Sequence, residues 1–168
     1  MDFTNEDIFF MTKAAELAEK SVDEGGGPFG AVIVRDGKII STGVNRVTVD
    51  NDPTAHAEVN AIRSACSKEA TFNLKGCVVY CSCEPCPMCL SALYWAGVDK
   101  IYYGNTQEDA EAINFSDRFI YEELKKPEVD RKLSSVHLKN NRTIKAFEKW
   151  MEKKDKILAT GVDFMNCA

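Results

Sequence analysis

No apolar run in this sequence approaches the ~18 residues that a membrane-spanning helix needs, which argues against an integral membrane protein. A leader is equally hard to find. The start, Met1-Asp2-Phe3-Thr4-Asn5-Glu6-Asp7, is acidic where a signal peptide is basic and then greasy, so a cytoplasmic protein is expected. Internal repeats and low-complexity stretches are missing, which argues against a repeat architecture and for one domain. Basic charge is in deficit as well: a formal net charge of −5 argues against nucleic acid as the main partner, because phosphate contacts draw on clustered Lys and Arg. The 7 cysteines are an odd number, and in a reducing compartment they point to free thiols or metal ligands, not a disulfide framework.

The remainder is the composition of an ordinary folded domain. With 168 residues, 45% hydrophobic and 28% charged, the chain can bury one core without staples. A single domain over 1–156 with a tail over 157–168 is expected. Charge is unevenly spread: residues 1–120 carry 10 basic and 18 acidic side chains, a net of −8, whereas residues 121–156 carry 11 and 7, a net of +4. That basic segment is either a solvated helix or a surface that docks on the acidic body.

Periodicity places the elements. Thr4 and Asp7 have capping-box spacing, and Phe10, Ala14, Leu17, Ala18 and Val22 share one helical face, so a first helix runs to about Glu24 and stops at Gly25-Gly26-Gly27. Phe29 to Arg35 and Lys38 to Asn45 form an antiparallel pair around Asp36-Gly37, a type I′ turn. Asp52-Pro53 reads as a cap followed by Pro at the first helical position, opening a helix from about Pro53 to Ser67. A strand at Cys77–Cys81, a helix from about Cys86 to Ala96 and a strand at Ile101–Tyr103 follow. Short helices are expected near 108–112 and 117–126, then a strand at Leu133–Leu138 and a last helix near 143–154. This alternation predicts an α/β chain, a three-layer α/β/α domain around a mixed sheet.

Chemistry concentrates at two of the helix starts. Cys86 and Cys89, at i and i+3, share one face where unsatisfied amides favour thiolate, and His56 from the other helix makes three ligands. Three is the number a catalytic zinc uses when the fourth position is left to water. Cys83-Glu84-Pro85-Cys86 is an overlapping C-x-x-C register, so Cys83 is a second candidate ligand. Glu58, two residues after His56, lies ~200° around a helix from it and is better suited to move protons than to bind the ion. The literal G-x-G-x-x-G of Gly25 to Gly30 precedes a strand and is interrupted by Pro28, so it is no dinucleotide fingerprint. On position alone Asn45 is a turn residue, Asp117 a helix cap, His137 a surface histidine, and Tyr94, Trp95, Tyr102 and Tyr103 core and interface packing.

The pairing of H-x-E with P-C-x-x-C is the signature of zinc nucleobase deaminases. Gly26-Gly27-Pro28-Phe29-Gly30, Asp52-Pro53-Thr54-Ala55-His56-Ala57-Glu58, Ser82-Cys83-Glu84-Pro85-Cys86-Pro87-Met88-Cys89 and Asp117-Arg118-Phe119-Ile120-Tyr121 together resemble the bacterial guanine deaminases of the cytidine deaminase superfamily. That resemblance implies a central five-stranded sheet, one Zn2+ per subunit on His56, Cys86 and Cys89, and Glu58 as proton shuttle. It also implies hydrolysis of guanine to xanthine and ammonia, with Asn45, Asp117, Phe29 and the Ala57 backbone amide at the substrate. Asp117 suits this role, since a carboxylate accepts the N–H donors of the purine's N1 and 2-amino edge. The same likeness implies a homodimer with exchanged C-terminal segments. Family members set a C-terminal aromatic residue, often Tyr, over the partner's site, whereas here no Tyr follows Tyr121 and Phe164 is the one aromatic residue beyond Trp150. Guanosine or another base is the alternative substrate. A tRNA adenosine deaminase shares the zinc core, and a structural zinc module is the reading from a different class.

Overall fold

In the computed structural model, which describes residues 3–158, the first helix α1 (Asn5–Asp23) is fixed by the expected capping box between Thr4 and Asp7. It buries Phe10, Ala14 and Ala18 at a spacing of four, the stripe of a helix lying on a sheet. Strands β1 (Gly30–Arg35) and β2 (Lys38–Val44) pair antiparallel through Asp36 (φ 50°) and Gly37 (φ 70°), as a type I′ turn requires. β3 (Cys77–Cys83) runs antiparallel to β1, and β4 (Lys100–Asn105) parallel to β3, giving the order β2-β1-β3-β4. Helix α3 (Ala57–Glu69) links β2 to β3, after a short helix α2 (Val47–Asp50). Helix α4 (Pro87–Ala96) is the crossover that a parallel β3–β4 pair demands.

β1 divides two cores. Ala31 and Ile33 join Ala57, Ala61 and Ala65 of α3 and Leu93 and Ala96 of α4, while Val32 and Val34 join Phe10, Ala14 and Tyr80 beneath α1. The three-layer α/β/α reading therefore holds, on a mixed sheet. Small residues set its closeness: a Cβ on Gly43 of β2 would lie 2.1 Å from the Ala57 carbonyl oxygen, so α3 rests its first turn directly on that strand.

Two expectations are corrected. The described residues form four strands, not five: 133–138 carries no regular structure, and Leu133, Val136 and Leu138 are each 85% exposed. Alternation makes a strand only where a ladder partner and a face to bury are at hand, and this segment has neither. His137 is exposed with it. The third helix begins at Ala57, not Pro53, because Asp52 Oδ1 accepts the Thr54 N–H at 2.8 Å and its hydroxyl at 2.7 Å, closing a turn in place of a helix cap. Tyr94 and Trp95, expected in core or interface packing, lie outside the core, 60% and 62% exposed on α4.

Beyond the sheet lie α5 (Gln107–Ala112), α6 (Arg118–Lys125), a 3-10 turn (Glu128–Asp130) and α7 (Ile144–Glu152), whose Phe147 and Met151 are exposed. Among the described residues no helix is long and apolar enough to cross a membrane. Phe164, Cys167 and most of the expected tail fall outside the described residues.

Candidate active site

Two helix N-termini meet near one end of the sheet. His56 is the N-cap of α3 (φ −72°, ψ 157°) and Cys86 the N-cap of α4 (φ −64°, ψ 168°), both in extended conformation. Pro87 follows Cys86 at the first helical position, where its fixed φ helps start the helix. Cys86 Sγ accepts the Cys89 N–H at 3.5 Å, so one thiol serves as helix cap while the other stands one turn along on the same face.

His56 Nδ1 lies 3.6 Å from Cys86 Sγ and 3.5 Å from Cys89 Sγ, and the three candidate ligand atoms are all within 4.8 Å of one another. Tetrahedral zinc with ordinary Zn–S and Zn–N bonds has N-to-S edges of about 3.5 Å, so this donor set fits the ion and leaves a fourth corner. Cys83 is not part of the group. It ends β3, and its thiol donates to the Thr106 carbonyl at 3.6 Å, which resolves the overlapping register in favour of Cys86 with Cys89.

Electrostatics follows the geometry. Hydrogen bonding from Cys89, and then from His56, draws the Cys86 thiol down to about 4, while Cys89 is pushed up by sharing the site with it. His56 is raised above its ordinary value, first by its hydrogen bond with Cys86. Such a pair presents one thiolate and one held proton, which a dication would displace.

Next to this group is a cavity of about 490 Å³. Phe29, Asn45, His56, Glu58, Cys86 and Asp117 all contribute to its wall, so the structure brings those sequence-predicted residues together; Ala57, buried, begins α3 between His56 and Glu58. Because His56 stands before the helix, the expected ~200° separation from Glu58 does not apply. Glu58 is 8% exposed, and burial pushes its carboxyl above the ordinary range. Asn45 is 6% exposed; its Oδ1 accepts from Gly27 N–H at 3.3 Å and Val47 N–H at 3.2 Å, which commits the oxygen and orients the amide nitrogen as the free donor. Asp117 caps α6 without any side-chain bond to the helix, and burial again raises its carboxyl. Tyr121 holds that helix start in place by donating to the Pro85 carbonyl at 3.0 Å.

Two wall residues carried no role in the sequence reading. Phe115 meets Phe29 edge-on at 5.2 Å across the cavity, and Glu84 lies beside Asp117 and contributes to its raised carboxyl. Glu84 was in view within the C-x-x-C motif; Phe115 had no signal except its place two residues before Asp117.

Residues 4–105 match the family model of the cytidine and deoxycytidylate deaminase zinc-binding region. The chain belongs to this deaminase family. Two relatives and one solved structure show what it is similar to. It is 47% identical over 142 residues to a guanine deaminase of Bacillus subtilis (strain 168), an alignment spanning 84% of this chain and 91% of that one. The X-ray structure of guanine deaminase from Bacillus subtilis superposes with a TM-score of 0.88 at 44% identity, covering 94% of this chain and 99% of that chain. A tRNA-specific adenosine deaminase of Aquifex aeolicus (strain VF5) is 41% identical over 95 residues, 56% of this chain and 63% of that protein. Within the deaminase, the metal group, Glu58, Phe29 and Asn45 fall inside the family match, while Asp117 and Phe115 lie beyond it.

Proposed function

We propose that the chain is a zinc-dependent guanine deaminase, hydrolysing guanine to xanthine and ammonia, with His56, Cys86 and Cys89 holding the ion. The observation that carries this reading is the buried carboxylate of Glu58 on the wall of the cavity that the ligand group borders. A structural zinc takes a fourth protein ligand and has no use for a buried carboxylate beside it. The near full-length likeness to a guanine deaminase supports the substrate. The tRNA deaminase reading is weaker, because its likeness spans less of the chain and the body is acidic.

The bound ion supplies Lewis acidity that makes water easier to deprotonate. Glu58 takes the proton from the attacking water, whose oxygen bonds to C2 of the purine. The same carboxyl then gives that proton to the exocyclic amine as its bond to C2 breaks, and ammonia leaves. The second water proton ends on a ring nitrogen of xanthine. Burial raises Glu58 toward the operating pH, which suits a group that must both accept and return a proton. Asp117 accepts from the N1 and amino edge, Asn45 donates its free amide to a purine acceptor, and Phe29 lies against the ring. The backbone amides of Ala57 and Cys86, at the two helix starts, orient the attacked region.

The same reading makes residues 1–156 one catalytic domain of a cytoplasmic homodimer that exchanges its C-terminal segment. Support comes from the opposed charge of body and segment and from the exposure, among the described residues, of Ile144, Phe147 and Met151 on α7. Zinc-loaded protein is expected to release ammonia and xanthine from guanine, and faster than it releases ammonia from guanosine. No turnover of any free base or nucleoside would overturn the assignment. Sedimentation is expected to give a dimer, and a stable active monomer lacking residues 141–168 would contradict the exchange.

A further inference from the structure

One wall of the cavity is the segment from Thr106 to Asp117, held at its far end by the Glu111–Arg118 ion pair at 2.6 Å and by Tyr121 on the Pro85 carbonyl. α5 buries only Ala110, yet the chain leaving it carries Asn114 (φ 67°), Phe115 and Asp117 into the cavity. At its near end α5 is tied to the body by a second set of contacts. The Glu84 N–H donates to the Asn105 carbonyl at 2.9 Å, the Cys83 thiol to the Thr106 carbonyl at 3.6 Å, and Gln107 Nε2 to Glu84 Oε1 at 3.0 Å. Thr106 and Asp109 complete a capping box, so the direction of α5 is set at the same point.

Of these contacts the Gln107–Glu84 bond joins two side chains, one of them charged, and charge-assisted bonds are the stronger kind. Gln107 is half-buried and takes no part in the cavity wall, whereas Glu84 is on that wall beside Asp117. A six-residue helix is about 9 Å long, so a tilt at Gln107 is carried to Phe115 as a displacement of about 1 Å or more. Misplacement of that size near reacting groups can cost ~10²-fold in rate.

We propose that Gln107, by its hydrogen bond to Glu84, is a positioning residue that holds the segment from Thr106 to Asp117 over the substrate and thereby sets affinity for the purine. This rests on the reading of the cavity as a purine site. It concerns how Asp117 and Phe115 are placed and gives Gln107 no contact with the reacting atoms.

The test uses full-length zinc-loaded protein and exchanges donor with acceptor. Gln107→Glu sets two carboxylates against each other; Glu84→Gln combined with Gln107→Glu restores one donor and one acceptor across the same gap. The single variant is expected to raise KM for guanine by about tenfold, the size of one lost charge-assisted hydrogen bond, with a smaller fall in kcat. Amide hydrogen exchange over residues 106–117 should quicken without change in β3. The paired variant should return hydrogen exchange to within about threefold of the parent protein and lower KM relative to Gln107→Glu. Unchanged KM and exchange in Gln107→Glu, or a paired variant no better than the single one, overturns the proposal. Exchange needs no substrate, so quickening that the pair reverses supports the clamp even in protein inert toward guanine, an outcome that overturns the guanine assignment alone.

Discussion

Asn45 separates holding the fold from holding the substrate, because its two amide atoms do different work. The oxygen accepts two backbone N–H groups, Gly27 at 3.3 Å and Val47 at 3.2 Å, while the nitrogen is left for the cavity. Asn45→Ala removes both. The bonds are long and uncharged, so each contributes toward the low end of the usual range, and the buried Gly27 N–H is left without an acceptor; together the loss is about 2 kcal/mol. For a chain of this length that lowers Tm by roughly 4–8 °C. Asn45→Asp keeps an acceptor for both N–H groups and should stay within about 1 kcal/mol of the parent protein. It has no donor for the purine, and it sets a carboxylate against an acceptor edge. Both variants should therefore lose about 10²-fold in kcat/KM for guanine, yet only Asn45→Ala should melt early. Thermal unfolding and steady-state kinetics on the two zinc-loaded variants give the four values needed. The reasoning is refuted if Asn45→Asp turns over guanine within a few-fold of the parent, or if both variants melt alike.

Other consequences are checked more simply. Glu58→Gln should keep one zinc per chain while kcat falls by ~10²- to 10⁴-fold, and loss of the metal from that variant would assign Glu58 a structural role. Gly43→Ala puts a Cβ 2.1 Å from the Ala57 carbonyl oxygen and 2.5 Å from the Ala61 nitrogen, so α3 must shift. The expected cost is about 1–3 kcal/mol with a larger loss of activity, since that helix start carries His56 and Glu58; unaltered activity would count against the close approach. Thr4, through its hydroxyl and then its backbone N–H, and Tyr80 hold the Asp7 carboxyl at about 2 against an ordinary 3.8. A lowered folded-state value stabilises fully above the unfolded value and is lost as pH falls through the folded one, so the contribution fades from about pH 5 to pH 2. Urea unfolding should show Asp7→Asn weaker than the parent at the upper end of that window and equal to it at the lower end.

Much of the site was legible because its chemistry is written locally. Pro87 after Cys86, and Cys89 one turn on, announce a capped helix with two thiols on one face, and the structure agrees. His56 was expected beside the two thiols and stands there, though with a different local geometry: the Asp52 side chain bonds to Thr54 and delays the helix to Ala57, so the imidazole leaves from an extended residue. Asn45 and Asp117 look alike to sequence rules as turn and cap residues. What sets them apart is tertiary: one has its oxygen occupied from two sides, and the other makes no cap bond at all. The expected strand at 133–138 failed for the converse reason. Its alternating pattern is intact, but pairing depends on a neighbour that no local pattern specifies.

The donors that converge on His56 come from 30 and 33 residues further along the chain, across a strand and a crossover. No hairpin, helix or other locally folded fragment contains the metal group. Loop closure over that span has to be achieved before His56 meets the two thiols, which the start of α4 already holds one turn apart, and it depends on the long-range pairing of β3 with β1. Assembly order follows: during synthesis the two thiols remain apart from the imidazole and open to oxidants until the sheet has closed, and an ion bound by all three then reports a finished fold.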